Sequence, residues 1–210
     1  LAAPMASALA QVSEQFAALS LAEVVAVALA IAYLLLAIRQ NIWCWPCAVL
    51  STAIYSGVFF ESALYQQAAL QLFYIGLGIY GWRQWHGGGE QGTELRVSNF
   101  RLSQHAIAIA VIFSLTLVTG WLTARYTRTP MPYLDAFTAW GSVVTAWMMA
   151  RKVLENWLYW MVVDSMMVVL SWRADLPATT ALFMIYVAMA VVGFLGWRRS
   201  QRLQQASATA

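Results

Sequence analysis

Charge is what this chain has least of. Of its 210 residues only 10% are Asp, Glu, Lys or Arg and 61% are hydrophobic, whereas an ordinary soluble domain is roughly 25% charged. So few charges cannot cover the surface of a soluble fold, which excludes a soluble enzyme. Lysine occurs once, as Lys152. The last apolar stretch has none, so it cannot form a Schiff base to retinal. No Gly-x-x-x-x-Gly-Lys loop is present to cradle a nucleotide, which argues against pumping driven by ATP. Histidine is limited to His86, in a loop, and His105, at the edge of an apolar run, which make no metal cluster. No catalytic residue, cofactor or metal is therefore expected.

Cysteine is nearly absent too. Cys44-Trp45-Pro46-Cys47 has the C-x-x-C spacing of thiol oxidoreductases, but a membrane thiol relay needs a second cysteine pair. Both thiols lie in the first turn of an apolar run, where proline is tolerated and free cysteine behaves as a small apolar side chain. A membrane thiol oxidoreductase is the remote alternative.

What the chain has in abundance is long apolar runs. A helix crosses the hydrocarbon layer in roughly 20 apolar residues, so this length allows roughly six to eight spans with short connections. Apolar runs between polar clusters predict seven helices near 21–38, 42–60, 64–85, 104–123, 135–152, 156–173 and 178–197. The stretch from His86 to Gln104, with Gly87-Gly88-Gly89, reads as the one long loop. The run 21–38 ends in Arg39 rather than a small-residue cleavage site, unlike a signal peptide. The native start is expected near Met5, and residues 5–20 read as a short interfacial segment.

The cations sit in small groups between these runs, as topology signals do, and not along one face as in a nucleic-acid binder. One set of loops holds Arg39, Arg83, Arg96, Arg101, Arg151, Lys152, Arg198, Arg199 and Arg202. The opposite set holds Arg125, Arg128 and Arg173. Positive charge stays on the cytoplasmic side, so the N-terminus is expected outside and the C-terminus inside.

Sliding the chain along itself by 115 residues aligns Asn41 with Asn156, Trp45 with Trp160, and Gly81-Trp82-Arg83 with Gly196-Trp197-Arg198. The match predicts two three-helix repeats, 21–85 and 135–200, with residues 86–134 supplying a loop and a bridging fourth helix. An offset of four spans is even, so the repeats are parallel, an arrangement used by transporters that bind solute near the midplane. Trp82, Trp85 and Trp197, beside arginines, read as an interfacial aromatic belt.

Polar residues inside apolar runs are costly and point to the bundle interior. Asn156, Trp160 and Asp164 recur every four residues, on one helical face, with Trp157 beside them. Asp164 is the most deeply placed acid, with no basic residue at its depth. Its carboxyl must be protonated, hydrated or paired with a ligand. With an ionised carboxylate the site favours a cationic solute, which Trp157 and Trp160 would hold by stacking. A protonated acid bonded to a neighbouring helix is the plain alternative. In the 115-residue register the first repeat offers Asn41, Trp45 and Val49, followed by Tyr55. Gln67, Gln71 and Tyr74 share a face of the third span, and Tyr186 matches Gln71. Amides beside aromatic walls suit a polyhydroxylated or heteroaromatic ligand. A membrane scaffold without a solute would have no reason to keep such residues at one depth.

Tyr55-Ser56-Gly57, Gln71-Leu72-Phe73-Tyr74, Tyr80-Gly81-Trp82-Arg83-Gln84-Trp85, and Glu155-Asn156-Trp157-Leu158-Tyr159-Trp160 followed by Asp164 carry a family likeness. Over about residues 21–200 the chain resembles the PnuC family of nicotinamide riboside transporters. The resemblance implies an all-α integral membrane fold of seven helices arranged 3+1+3, similar to the SWEET sugar facilitators. It also implies facilitated diffusion of a vitamin precursor across a bacterial inner membrane by a homotrimer, with trapping by a separate kinase. Carried over to this sequence, the family site comprises Asn156, Trp157, Trp160 and Asp164, joined by Gln67, Gln71 and Tyr74. Relatives that carry thiamine or riboflavin keep those solutes as alternatives. Nicotinamide riboside and thiamine are ring cations, which fits the reading of Asp164.

Overall fold

The computed structural model describes residues 20–61, 65–88, 95–174 and 176–208. Its helices are α1 (Leu21–Ile38), α2 (Cys44–Glu61), α3 (Tyr65–Gly87), α4 (Leu102–Tyr126), α5 (Pro132–Ala150), α6 (Asn156–Arg173) and α7 (Pro177–Ala208), and no strand occurs among the described residues. The interfacial segment expected over residues 5–20 lies almost wholly outside them.

Local chemistry sets the helix starts. Ser20 caps α1 in a capping box: its hydroxyl accepts the Glu23 amide at 3.3 Å, and the Glu23 carboxylate accepts the Ser20 amide at 2.8 Å. Proline opens α5 and α7, where its missing N–H costs no helical bond. The α1–α2 and α5–α6 turns each close on a left-handed residue, Gln40 at φ 56° and Lys152 at φ 50°. Lys152 therefore stands beyond the end of α5 rather than inside the helix expected over 135–152.

The largest departure from expectation is α7, which runs to Ala208 instead of ending near 197. Arg198 to Gln205 contains no glycine or proline and consists mostly of good helix formers. The apolar signal stops there while the helix continues.

Apolar side chains face outward. Ile107, Phe113, Leu117, Val118 and Trp121 of α4 are all exposed, a continuous apolar surface that soluble monomers rarely show and that lipid covers. Leu21–Ile38, Leu102–Tyr126 and Thr179–Ser207 are long and apolar enough to cross a bilayer by composition alone. The remaining helices, α2, α3, α5 and α6, carry most of the intramembrane polar groups.

The structure also corrects the repeat register. Cys44–Glu61 and Asn156–Arg173 are both 18-residue helices, and their starts are 112 residues apart. The left-handed residues Gln40 and Lys152 stand 112 apart as well. So do the turn hydrogen bonds Asn41 N to Leu36 O (2.9 Å) and Val153 N to Met148 O (3.0 Å). Side-chain packing agrees. A Cβ at Gly81 would strike the Trp45 indole, and a Cβ at Gly193 would come within 2.6 Å of the Trp157 indole. Trp45 thus corresponds to Trp157, Thr52 to Asp164, Tyr74 to Tyr186 and Trp85 to Trp197. The 115-residue match differs by under one helical turn, a slip that keeps residues near the same face.

These glycines allow the rigid indoles to approach the helix backbone. Gly193→Ala should therefore destabilise the fold by about 1–3 kcal/mol, the usual cost of overpacking. Gly57→Ala, where a Cβ would meet nothing within 4 Å, serves as the control in a thermal melt in detergent.

The described residues fall into two compact units. One comprises Asn99–Met148 with Val153–Phe194, and the other comprises residues 20–98 with Met149–Lys152 and 195–208. The first contains α4, most of α5, α6 and most of α7. The second contains α1 to α3, the α5–α6 turn and the end of α7.

Candidate solute site

A polar side chain inside a span needs a hydrogen-bond partner, and hydroxyls find one locally. Thr52 donates to Ala48 O, Ser142 to Thr138 O, Thr145 to Gly141 O, Ser165 to Met161 O and Ser171 to Met167 O, each at 2.6–2.8 Å. These are back-bonds to the carbonyl one turn earlier. Ser51 instead bonds between helices, to Ala26 O at 2.8 Å. A carboxylate has no such recourse, because it only accepts and the N–H groups of a mid-helix turn are already used.

Asp164, when ionised, is that case. It lies in the middle of α6 and is 6% exposed, and its carboxyl makes no hydrogen bond or ion pair among the described residues. Its position is fixed by tight packing on both sides of α6. A Cβ at Gly141 of α5 would come within 2.7 Å of Val163, and Gly193 of α7 gives way to Trp157. Thr180 of α7 also donates to the Ser171 hydroxyl at 3.0 Å.

The other residues of this face differ in access. Trp160, one turn before Asp164, is half-buried. Asn156 is fully buried: its amide nitrogen donates to Val153 O at 2.6 Å, while its Oδ1 has no partner among the described residues. Trp157 is buried against Gly193. Tyr186 on α7 is half-buried, with its ring edge-on to Phe183 at 5.7 Å. Geometrically, Asn156 and Trp157 are packed in at the start of α6, whereas Trp160 one turn on is half-buried and Asp164 is 6% exposed.

In the unit that contains α1 to α3, Asn41 is an exposed turn residue whose Oδ1 accepts the Trp43 amide at 3.0 Å. Trp45 is buried at Gly81, with its indole N–H unpartnered among the described residues. Tyr55 is half-buried and stacked on Phe59 at 5.8 Å, and Gln71 and Tyr74 are half-buried on α3. Gln67 falls on α3, and its side chain lies outside the described residues.

A family model described as nicotinamide mononucleotide transporter matches residues 20–199. The chain belongs to this family, the PnuC-type vitamin transporters. Among relatives of this PnuC-family chain, the riboflavin/roseoflavin transporter RibM of Streptomyces davaonensis is 28% identical over 174 residues, covering 80% of this chain and 81% of that one. The nicotinamide riboside transporter PnuC of Escherichia coli is 27% identical over 179 residues, covering 73% and 75%. The crystal structure of the vitamin B3 transporter PnuC superposes with a TM-score of 0.66 at 20% identity, covering 86% of this chain and 82% of that one, so the fold is shared. The PnuC-type chain is thus an all-α integral membrane protein with seven transmembrane helices in a 3+1+3 order, built for transport of a small vitamin.

Two features of this PnuC-type chain escaped sequence reasoning. Trp85 and Trp197 are not interfacial. They are 2% and 0% exposed, and the Lys152 ammonium lies 4.6 Å from the Trp85 ring centre. Arginine neighbours made them look like belt residues, and only their partners show otherwise. Separately, the starts of α4 and α6 are tied. The Glu155 carboxylate accepts from Asn99 Nδ2 at 2.7 Å and from the Phe100 amide at 3.2 Å, and His105 Nδ1 pairs with the Tyr159 hydroxyl at 2.9 Å.

Proposed function

We propose that the chain carries nicotinamide riboside down its gradient across a bacterial inner membrane by alternating access, with a separate kinase trapping the solute inside. The observation that carries this reading is Asp164, a buried acid in the middle of α6 whose carboxyl has no partner among the described residues, which a cationic ring would complement. A buried charge left unpaired costs several kcal/mol, and the pyridinium of nicotinamide riboside would supply the missing partner. Trp160, one turn away, offers the ring for a stacked or cation–π contact. Asn156 and Trp157 hold the start of α6, and Gln71, Tyr74, Tyr186, Tyr55 and Gln67 are the candidates for the ribose and the amide. Asn41 of the α1–α2 turn and Trp45 of the first turn of α2 complete the proposed set.

The same reading takes residues 21–85 and 135–200 as moving halves joined by 86–134, and places the N-terminus outside and the C-terminus inside according to the arginine distribution. Assembly as a homotrimer rests on the family resemblance. Thiamine, also a ring cation, satisfies the charge argument equally well. Riboflavin is the second reading, favoured by the likeness to RibM; it is neutral and would leave Asp164 without a counter-charge.

Proteoliposomes test the proposal. Uptake of nicotinamide riboside is expected with no ion gradient imposed, stopping when internal and external concentrations are equal. Accumulation that requires a proton or sodium gradient would sink the facilitated-diffusion mechanism, and uptake of riboflavin alone would favour the second reading.

A further inference from the structure

The α1–α2 turn and the α5–α6 turn repeat one another, and each receives a tryptophan. Trp197 Nε1 donates to Ala37 O at 3.0 Å, and Trp85 Nε1 donates to Met149 O at 3.2 Å. The donors are 112 residues apart and so are the acceptors. Trp85 ends the first three-helix set but bonds to the turn of the second, while Trp197, in the second set, bonds to the turn of the first. The two bonds are therefore one interaction made twice with the halves exchanged, the reciprocity of an isologous two-fold contact. The two rings meet at 5.9 Å with planes inclined by 61°.

Both acceptors are helix-end carbonyls. Ala37 O also accepts from Gln40 N and Met149 O from Lys152 N, each at 3.0 Å, so both lone pairs of each oxygen are used. Breaking either tie would leave a buried indole N–H without its acceptor. Additional contacts hold this end. Tyr33 donates its hydroxyl proton to the Met149 sulfur at 2.8 Å, and Ser98 N donates to Lys152 O at 3.0 Å. On the α7 extension, Gln204 Oε1 accepts from Val97 N at 3.2 Å and Gln201 Nε2 donates to Val97 O at 3.4 Å.

We propose that the Trp85–Trp197 pair is a pivot: the C-terminal ends of α3 and α7 stay joined through the transport cycle, and the helices move about this point without parting there. The alternative is a gate, at which these ends separate to release solute. The inference rests on the family's transport activity and not on the choice of solute.

Cross-linking separates pivot from gate. His86 and Arg198 are the exposed residues that follow Trp85 and Trp197. His86→Cys and Arg198→Cys are introduced together with Cys47→Ala, Cys44 being fully buried, and bridged with a flexible bis-maleimide. A pivot predicts no loss of uptake rate on bridging, measured with whichever of nicotinamide riboside, thiamine or riboflavin the unbridged variant carries. Loss of uptake with solute binding retained would make this end a gate and overturn the proposal, and so would failure of the reagent to bridge the pair.

A second measurement needs no solute. Trp85→Phe and Trp197→Phe keep a ring and remove one N–H each, and the paired bonds predict that both lower the unfolding temperature, Trp85→Phe the more because it also weakens the contact with Lys152. An unchanged unfolding temperature in either variant would contradict it.

Discussion

Asp164→Asn is expected to weaken binding of nicotinamide riboside by at least about tenfold, because truncating one partner of a buried charge pair costs about 2–5 kcal/mol and about 1.4 kcal/mol is a factor of ten. Asparagine keeps the shape of the side chain and removes the charge, so the fold should survive. The back-bonded hydroxyls around it, Ser165 to Met161 O and Thr145 to Gly141 O, do not depend on the carboxylate. Isothermal calorimetry in detergent reads the affinity, and a thermal melt confirms that the protein remains folded. Binding of the neutral riboflavin should change little. Equal affinity of wild type and variant for the cationic solute would remove the electrostatic basis of the proposed site.

Trp160→Ala is expected to abolish uptake of nicotinamide riboside into proteoliposomes. Loss of an aromatic platform costs about 1–3 kcal/mol per stacked base, and a desolvated cation–π contact adds about 2 kcal/mol. Trp160→Phe, which keeps a smaller ring, should restore part of the rate. The contrast with Trp157 is informative, since Trp157 is packed on Gly193 and its truncation should lower the unfolding temperature by opening a cavity. Wild-type uptake in Trp160→Ala would assign that ring to the lipid-facing surface instead.

Much of this architecture is legible in the sequence because hydrocarbon imposes simple rules. α1 lies between a serine–glutamate capping box and Arg39, so both its apolar run and its ends are written locally. Asp164 stands out as an acid in the middle of an apolar run, and its carboxyl has no partner among the described residues. What eluded the sequence involves pairs of distant residues or helices that outlast their apolar signal. α7 continues for another three turns as a polar helix, where hydropathy is silent. The repeat register was offset because a Gly-Trp-Arg triplet recurs at 115 residues, while the packing pairs Trp45 with Gly81 and Trp157 with Gly193 fix it at 112. Asn156 and Trp157 share a face with Asp164, yet both are buried, because glycine on α7 admits the indole; a single helix cannot reveal that. Trp85 and Trp197 carry arginine neighbours and so resembled belt residues until their carbonyl partners were seen.

The claim that Asp164 selects a cationic vitamin is tested most directly by binding nicotinamide riboside, thiamine and riboflavin to the wild-type protein side by side in one calorimetric series. Both ring cations, nicotinamide riboside and thiamine, are predicted to bind more tightly than riboflavin. Riboflavin binding more tightly than both cations would contradict the account.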